Sequence, residues 1–352
     1  MAKSAMLFLG YNNMRIHKRG VENVIHFQSL ASRFSINYYI HWDTQTKVYH
    51  YDSLICIGIR KNAFWYIGLN ILLCKLKKKH KKIFIHSHNP LMSIMSLYQS
   101  NLFTVHDALY YLMTATKHKL NIVFWFLEKI LYLRCSYVHF ISEYTKKKSL
   151  YQWNKNYSII SNTSHFETFK GDNISIGLKK FNPNVIKVFA VRSIEERALI
   201  NLIIGVAKKL KTEKIEFLVA GKGPLLDFYR DEIKRMKLEN IYLLGYVDDN
   251  DLIQYYKDSD VILVPAAYGE GFGLPIIEGY LFDKPVIASN VCAIPEVIIF
   301  EEYLFENTVD SIISKINFAT THDNIHFRAY YNDKFSNKIV LKKMDELYMK
   351  LL

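Results

Sequence analysis

One stretch of this chain admits few folds. Val261-Ile-Leu-Val264 is an apolar run stopped by Pro265, and Gly269, Gly271 and Gly273 follow in a short loop before Ile276 to Leu281 resume a helical pattern. A strand, a glycine loop and a helix start in that order leave unpaired N–H groups and the positive end of a helix dipole facing outward. A phosphate or pyrophosphate suits that setting. Glu270 lies in the loop and Glu278 stands eight residues on, about two helical turns away, so both carboxylates can point into one cleft. Carboxylates repel phosphate; their partners are expected to be hydroxyl groups, as on a sugar and a ribose.

Short apolar segments and helical ones alternate along the chain. Ala5 to Gly10 reads as a first strand, and Gly20 opens the next helix where the backbone can approach a ligand. Ser53–Ile57, Lys82–His86, Leu102–His106 and Tyr137–Ser142 continue the pattern, which predicts a parallel, doubly wound α/β sheet. Ligands of such sheets bind at the carboxyl ends of the strands, where His86 and His88, His106-Asp107 and Ser142 fall. His86 and His88 have the residue type of a metal pair, but no further ligands group with them, so no metal is expected.

A second such series starts at Val185. Its first strand ends at Arg192, with Arg197 five residues later, and arginines there make charge-assisted bonds to phosphate oxygens. Glu216–Pro224 is a strand with a glycine turn at Gly221, and Ile241–Val247 is the next strand. Asp258-Ser-Asp260 has the D-x-D pattern of a metal site, yet it ends one helix and enters the Val261 strand away from the Glu270 loop. It reads as structural.

At 352 residues the chain exceeds one ordinary core, and 50% hydrophobic residues can fill two. The expected division is 1–165, a polar linker at 166–184, 185–325, and a closing helical segment at 326–352. Charge is divided unevenly: 22 Lys and Arg against 6 Asp and Glu up to His165, then 24 against 27. The first half therefore carries any basic partner surface, with six lysines between Lys75 and Lys82 and three more at Lys146–Lys148. Such runs are read as a solvated loop, an anionic membrane face or a nucleic-acid contact, and no zinc-finger spacing or RNA-binding signature supports the last. Cys56, Cys74, Cys135 and Cys292 form no short-spaced framework and read as free thiols in a reducing cytosol. No signal peptide or span is expected: the apolar run Ala63–Cys74 is too short and contains Asn70, and Ile122–Leu133 is broken by Glu128 and Lys129. Both segments read as helices of a soluble core or as one-sided membrane-contacting helices.

Glu270-Gly-Phe-Gly-Leu-Pro-Ile-Ile-Glu278, with Lys284-Pro-Val-Ile-Ala-Ser-Asn290 and Ile294-Pro-Glu-Val297, resembles the E-x7-E signature of the retaining GT-B glycosyltransferases of family 4. The resemblance is dense from Lys187 to Val297 and thin before Ser100. It implies two Rossmann-like domains facing a cleft, with the last helix crossing back to the first domain. It also implies transfer of a sugar from a nucleoside-diphosphate sugar, with retention, to a saccharide or lipid-diphosphate-linked acceptor of bacterial surface polysaccharide synthesis. Carried onto this sequence, Glu270 would bind donor sugar hydroxyls and Glu278 the ribose. Arg192 and Arg197, the latter where lysine is usual and followed by Ala198 in place of glycine, would clamp the diphosphate with the loop at Gly271, Phe272, Gly273 and Leu274. Gly221 would lie beneath the nucleotide, Tyr246 and Val247 beside the base, and His106 against donor sugar and acceptor. Gly20 would face the diphosphate, although Arg19 holds the place of the usual second glycine. No metal or other cofactor and no nucleic acid is implied; the expected place is cytoplasmic, peripheral on the inner face of the cell membrane. A nucleotide-sugar epimerase of the same architecture and an inactive donor-binding partner subunit remain as alternatives.

Overall fold

The computed structural model describes residues 4–16, 20–116, 119, 121–151, 156–169, 179–321 and 325–352. The chain forms two compact units, Met1–His165 with Asn337–Leu352, and Phe166–Ser336.

In the first unit the strands are β1 (Ala5–Leu9), β2 (Ile36–Asp43), β3 (Lys47–Tyr51), β4 (Leu54–Arg60), β5 (Ile83–Ser87), β6 (Ser100–Val105), β7 (Cys135–Phe140) and β8 (Tyr157–Ile159). They join in the order β3-β4-β2-β1-β5-β6-β7-β8, parallel throughout except for the β3–β4 pair at the edge. The helices are α1 (Gly20–Leu30), α2 (Trp65–Lys79), α3 (Pro90–Met95), α4 (Leu109–Ala115), α5 (Asn121–Leu133) and α6 (Glu143–Lys148). Every residue of β1 is buried, because helices cover both faces of the sheet. Met6 and Phe8 point into one core with Ile25 of α1, while Ala5, Leu7 and Leu9 point into the other with Leu69, Leu73 and Leu76 of α2. The C-terminal helix Asn337–Leu351 returns to complete the first core with Val340, Met344, Leu347 and Tyr348; the return starts at Asn337, not at 326, because Phe327–Lys334 belongs to the second unit.

The second unit has strands β9 (Ile186–Val191), β10 (Ile215–Ala220), β11 (Ile241–Gly245), β12 (Val261–Val264), β13 (Val286–Ser289) and β14 (Leu304–Phe305). Its helices are α7 (Ile200–Lys209), α8 (Leu226–Arg235), α9 (Asp249–Asp258), α10 (Leu274–Leu281), α11 (Ile294–Val297), α12 (Val309–Thr321) and α13 (Phe327–Lys334). The parallel order β11-β10-β9-β12-β13-β14 is that of a dinucleotide-binding sheet, in which the direction of strand addition reverses between the first and fourth strands, here β9 and β12.

The alternation of elements matches the sequence reading, with three differences. Strands β2 and β3 were not anticipated: Tyr, Asn, His and Trp interrupt the apolar run of β2, and β3 alternates exposed Val48 and His50 with buried Tyr49. Helix α10 begins at Leu274, not Ile276, because Gly273 takes a left-handed conformation (φ 95°) that releases the chain into the first turn. Arg19 and residues 170–178 of the expected linker lie outside the described residues. Among the described residues, no helix is long and apolar enough to cross a membrane.

Candidate active site

Arg192 follows β9 and Glu270 follows β12, so the reversal of strand order places them side by side at the carboxyl edge of the second sheet. Arg192 Nη1 donates to Glu270 Oε2 at 2.7 Å, and the two side chains are only 8% and 17% exposed. The Arg192 Nε is buried with no hydrogen-bond partner among the described residues. A guanidinium so placed holds one carboxylate and keeps a further donor for an incoming anion.

Arg197 braces the same loop. Its Nη1 donates to the Gly269 carbonyl at 2.6 Å and its Nε to Glu195 at 2.8 Å, while the Ala267 N–H returns to the Arg197 carbonyl. The Glu270 carbonyl accepts from the Ala293 N–H, which fixes the loop from its other side. Gly271, Phe272 and Gly273 complete the turn; at the start of α10 Pro275 has no N–H and the Ile276 N–H donates to the Gly273 carbonyl at 2.9 Å, which leaves Leu274 as the N–H of that turn that the helix itself does not use. The Phe272 side chain is buried and packs against the Phe335 ring, 5.9 Å between centroids. Gly221 has a steric reason to be glycine. Its φ is 144°, and a Cβ there would stand 1.7 Å from the Arg192 carbonyl oxygen, so the turn after β10 lies directly on the Arg192 backbone.

Glu278, on the buried side of α10, accepts from the Tyr256 hydroxyl at 2.7 Å. Burial, then the neighbouring Glu278, raises the Tyr256 pKa, while the Arg192 charge lowers it; the Glu278–Tyr256 pair therefore lies within reach of Arg192. Tyr246 and Val247 follow β11 at the same edge of the sheet, and the exposed Tyr246 ring has Lys222 Nζ 4.9 Å from its centroid. Asp260 Oδ2 accepts from the Lys187 N–H at 2.8 Å, the structural use expected of the D-x-D sequence.

In the first unit, His106 and Gly20 line a cavity of about 400 Å³ with Tyr11, Asn12, Glu22, His88 and Asp107. It opens at the ends of β1, β5 and β6, where that sheet also reverses its order. His106 Nε2 and His88 Nδ1 are 2.9 Å apart, and burial, then His139, pushes the His106 pKa down to about 3. His106 is thus a neutral hydrogen-bonding group at pH 7, not an acid. Both ring nitrogens of His86 are occupied by hydrogen bonds, to Tyr348 at 2.9 Å and Thr104 at 2.7 Å, and Thr104 joins His139 at 2.9 Å; His88 Nε2, by contrast, is buried with no hydrogen-bond partner among the described residues. His139 Nε2 meets the Ile160 carbonyl, which only accepts, so that nitrogen carries a proton; burial lowers the pKa of His86 and takes His139 down to about 4, and with both rings neutral the protons run from Tyr348 to Ile160. Ser142 caps α6 in a reciprocal box with Thr145.

Sequence reasoning missed Asn12 and Glu22, whose side chains pair at 3.1 Å in the cavity wall, and Tyr256, which positions Glu278. The first pair has a local signal, an acid in the first turn of α1; Tyr256 has none.

Residues 177–334 match the family described as "Glycosyl transferases group 1". Over 126 residues the chain is 31% identical to an uncharacterized 41.2 kDa protein of the cps region of Klebsiella pneumoniae, covering 34% of each chain. Over 148 residues it is 28% identical to the O-antigen biosynthesis glycosyltransferase WclY of Escherichia coli, covering 40% of each. The chain thus spans about a third to two fifths of the length of these curated relatives. HepE from Anabaena, solved in complex with UDP-glucose, superposes with a TM-score of 0.77 over 98% of this chain and 99% of its own, at 13% identity, which shows the fold alone. The chain has the GT-B fold, and the match to the glycosyl transferases group 1 model is confined to residues 177–334.

Proposed function

We propose that the protein transfers a sugar from a nucleoside-diphosphate sugar to a saccharide acceptor, lipid-linked, in the synthesis of a bacterial surface polysaccharide. The observation that carries this reading is the buried Arg192–Glu270 pair at the strand-order reversal, beside the glycine loop and the start of α10. Arg192, with its unpartnered Nε, and the N–H groups at Gly273 and Leu274 stabilise the departing diphosphate; Arg197 adds charge while bracing the loop. Glu270 takes donor sugar hydroxyls and Glu278 the ribose, with Gly221, Tyr246 and Val247 around the nucleotide. Of the first unit's residues, His106 serves the donor sugar and the acceptor, and Gly20 the donor diphosphate. The acceptor hydroxyl attacks the anomeric carbon on the face the diphosphate leaves: the bond to the diphosphate oxygen breaks, the new glycosidic bond forms, and the proton passes to the diphosphate. Configuration is retained and no metal takes part. The similarity to an O-antigen glycosyltransferase and to a fold solved with UDP-glucose supports this class of donor and product.

The test is incubation with UDP-, GDP- and other sugar nucleotides and a panel of lipid-diphosphate saccharides, followed by NMR of the product anomer. Transfer with retention is expected. Inversion contradicts the mechanism, conversion of the free donor sugar to its epimer indicates the epimerase reading, and binding without turnover indicates a donor-binding partner subunit.

A further inference from the structure

The helices on one face of the first sheet turn apolar side chains outward. On α5, Ile122, Phe126, Ile130 and Leu133 recur at helical spacing, and Ile122 and Phe126 are 59% and 56% exposed. Ile67 and Ile71 of α2 and Leu91 and Met95 of α3 are exposed as well. These helices form one layer, because Met92 of α3 shares a core with α2 while Ile94 of α3 packs against the core that holds Leu131 and Tyr132 of α5. A groove of about 510 Å³ runs along α2, lined by Tyr66, Ile67, Ile71, Cys74, Lys75 and Lys78. Monomeric soluble proteins scatter exposed apolar residues singly; a layer of them marks a contact surface.

Charge identifies the occupant. From Ser53 to Ser142 there are 12 Lys and Arg against only Asp107 and Glu128. Glu128, the sole acid on α2, α3 and α5, faces inward, where it accepts from the Tyr110 and Leu150 N–H groups. The outward side is therefore apolar with a basic end at Lys75–Lys82. A second copy of the chain on this face would set lysines against lysines, whereas the surface of an anionic bilayer supplies both acyl chains and negative headgroups. We propose that the outer faces of α2, α3 and α5 dock onto an anionic phospholipid bilayer, with the α5 stripe entering the acyl boundary and the lysines of α2 on the headgroups. This deepens the reading of a lipid-linked acceptor, and its test reads vesicle binding, so either can fail alone.

The full chain is sedimented with phosphatidylcholine vesicles, with and without phosphatidylglycerol, at low and high salt. Binding is expected only with phosphatidylglycerol, strongest at low salt and weakened but not abolished at high salt, because the apolar part is not screened. The variant Phe126→Ser with Ile130→Ser should partition about tenfold less, with unchanged thermal unfolding and nucleotide binding. In the parent protein, acyl-brominated phosphatidylglycerol should quench the fluorescence of Trp65 and Trp125, a readout that needs no variant. Equal binding by parent and variant, or absence of quenching, overturns the proposal. So does a parent dimer that the variant dissociates without either binding vesicles.

Discussion

Arg192 and Glu270, 78 residues apart in sequence, form a 2.7 Å ion pair that ties the ends of the two strands flanking the reversal of the second sheet. Removing one member of a buried pair strands the other charge, which costs about 3–5 kcal/mol. Arg192→Ala should therefore lower the melting temperature and reduce kcat/KM by at least about a hundredfold, with Arg192→Lys between it and the parent. Steady-state kinetics beside thermal unfolding reads both effects. Parental turnover in Arg192→Ala contradicts the assignment.

The two glutamates should separate kinetically. In the proposed reaction Glu278, held by Tyr256, binds a ribose alike before and during the chemical step, so Glu278→Ala should raise the donor Kd with a smaller effect on kcat. Glu270→Ala should lower kcat more than affinity, because the group it holds changes charge in the transition state. Tyr256→Phe should weaken donor binding by a few fold in the same direction as Glu278→Ala, since the carboxylate loses the hydroxyl that fixes it. An effect of both glutamate variants on KM alone counts against this division.

Much of this arrangement was legible before any coordinates. Val261–Val264, the three glycines and the two glutamates form a local pattern, and local patterns encode a strand, a turn and a helix start without reference to the rest of the chain. The structural use of Asp260 was legible for the same reason, since a strand begins at the next residue. Partners far apart in sequence were not. Nothing near His86 announces Tyr348, 262 residues on, and nothing near Glu278 announces Tyr256 across the α9–α10 interval. Arg197 illustrates an intermediate case: its charge was readable, but its grip on the Gly269 carbonyl depends on how the loop folds back.

Turnover is expected to persist in EDTA. In the proposed reaction the positive charge at the donor diphosphate comes from Arg192, Arg197 and the start of α10, groups that need no divalent ion to act. Assays in EDTA with and without added Mn²⁺ should give equal rates; loss of all turnover restored by Mn²⁺ excludes the arginine clamp as the sole charge stabiliser.

Acid should destabilise the first unit through its buried histidines. Burial lowers the pKa of His86 and His88 and takes His139 down to about 4, below the ordinary value near 6.5. The unfolded chain then binds more protons than the folded one below pH 6.5, so stability is full above that value and falls as pH drops toward the folded values. Each histidine contributes up to about 1.4 kcal/mol per pH unit in that window. Urea midpoints at pH 7.5, 6.5 and 5.5 should be level between the first two and drop at the third; a flat profile to pH 5.5 contradicts a neutral histidine line.

The most direct test of the central claim is titration of the parent protein and Arg192→Ala with UDP, GDP and their sugar conjugates, followed by thermal unfolding. A ligand at a hundred times its Kd adds about 2.7 kcal/mol, enough to raise the melting temperature by several degrees. The account predicts that at least one nucleotide does so for the parent and not for Arg192→Ala. No shift with any nucleotide, or the same shift in both proteins, would contradict a donor site built on Arg192 and Glu270.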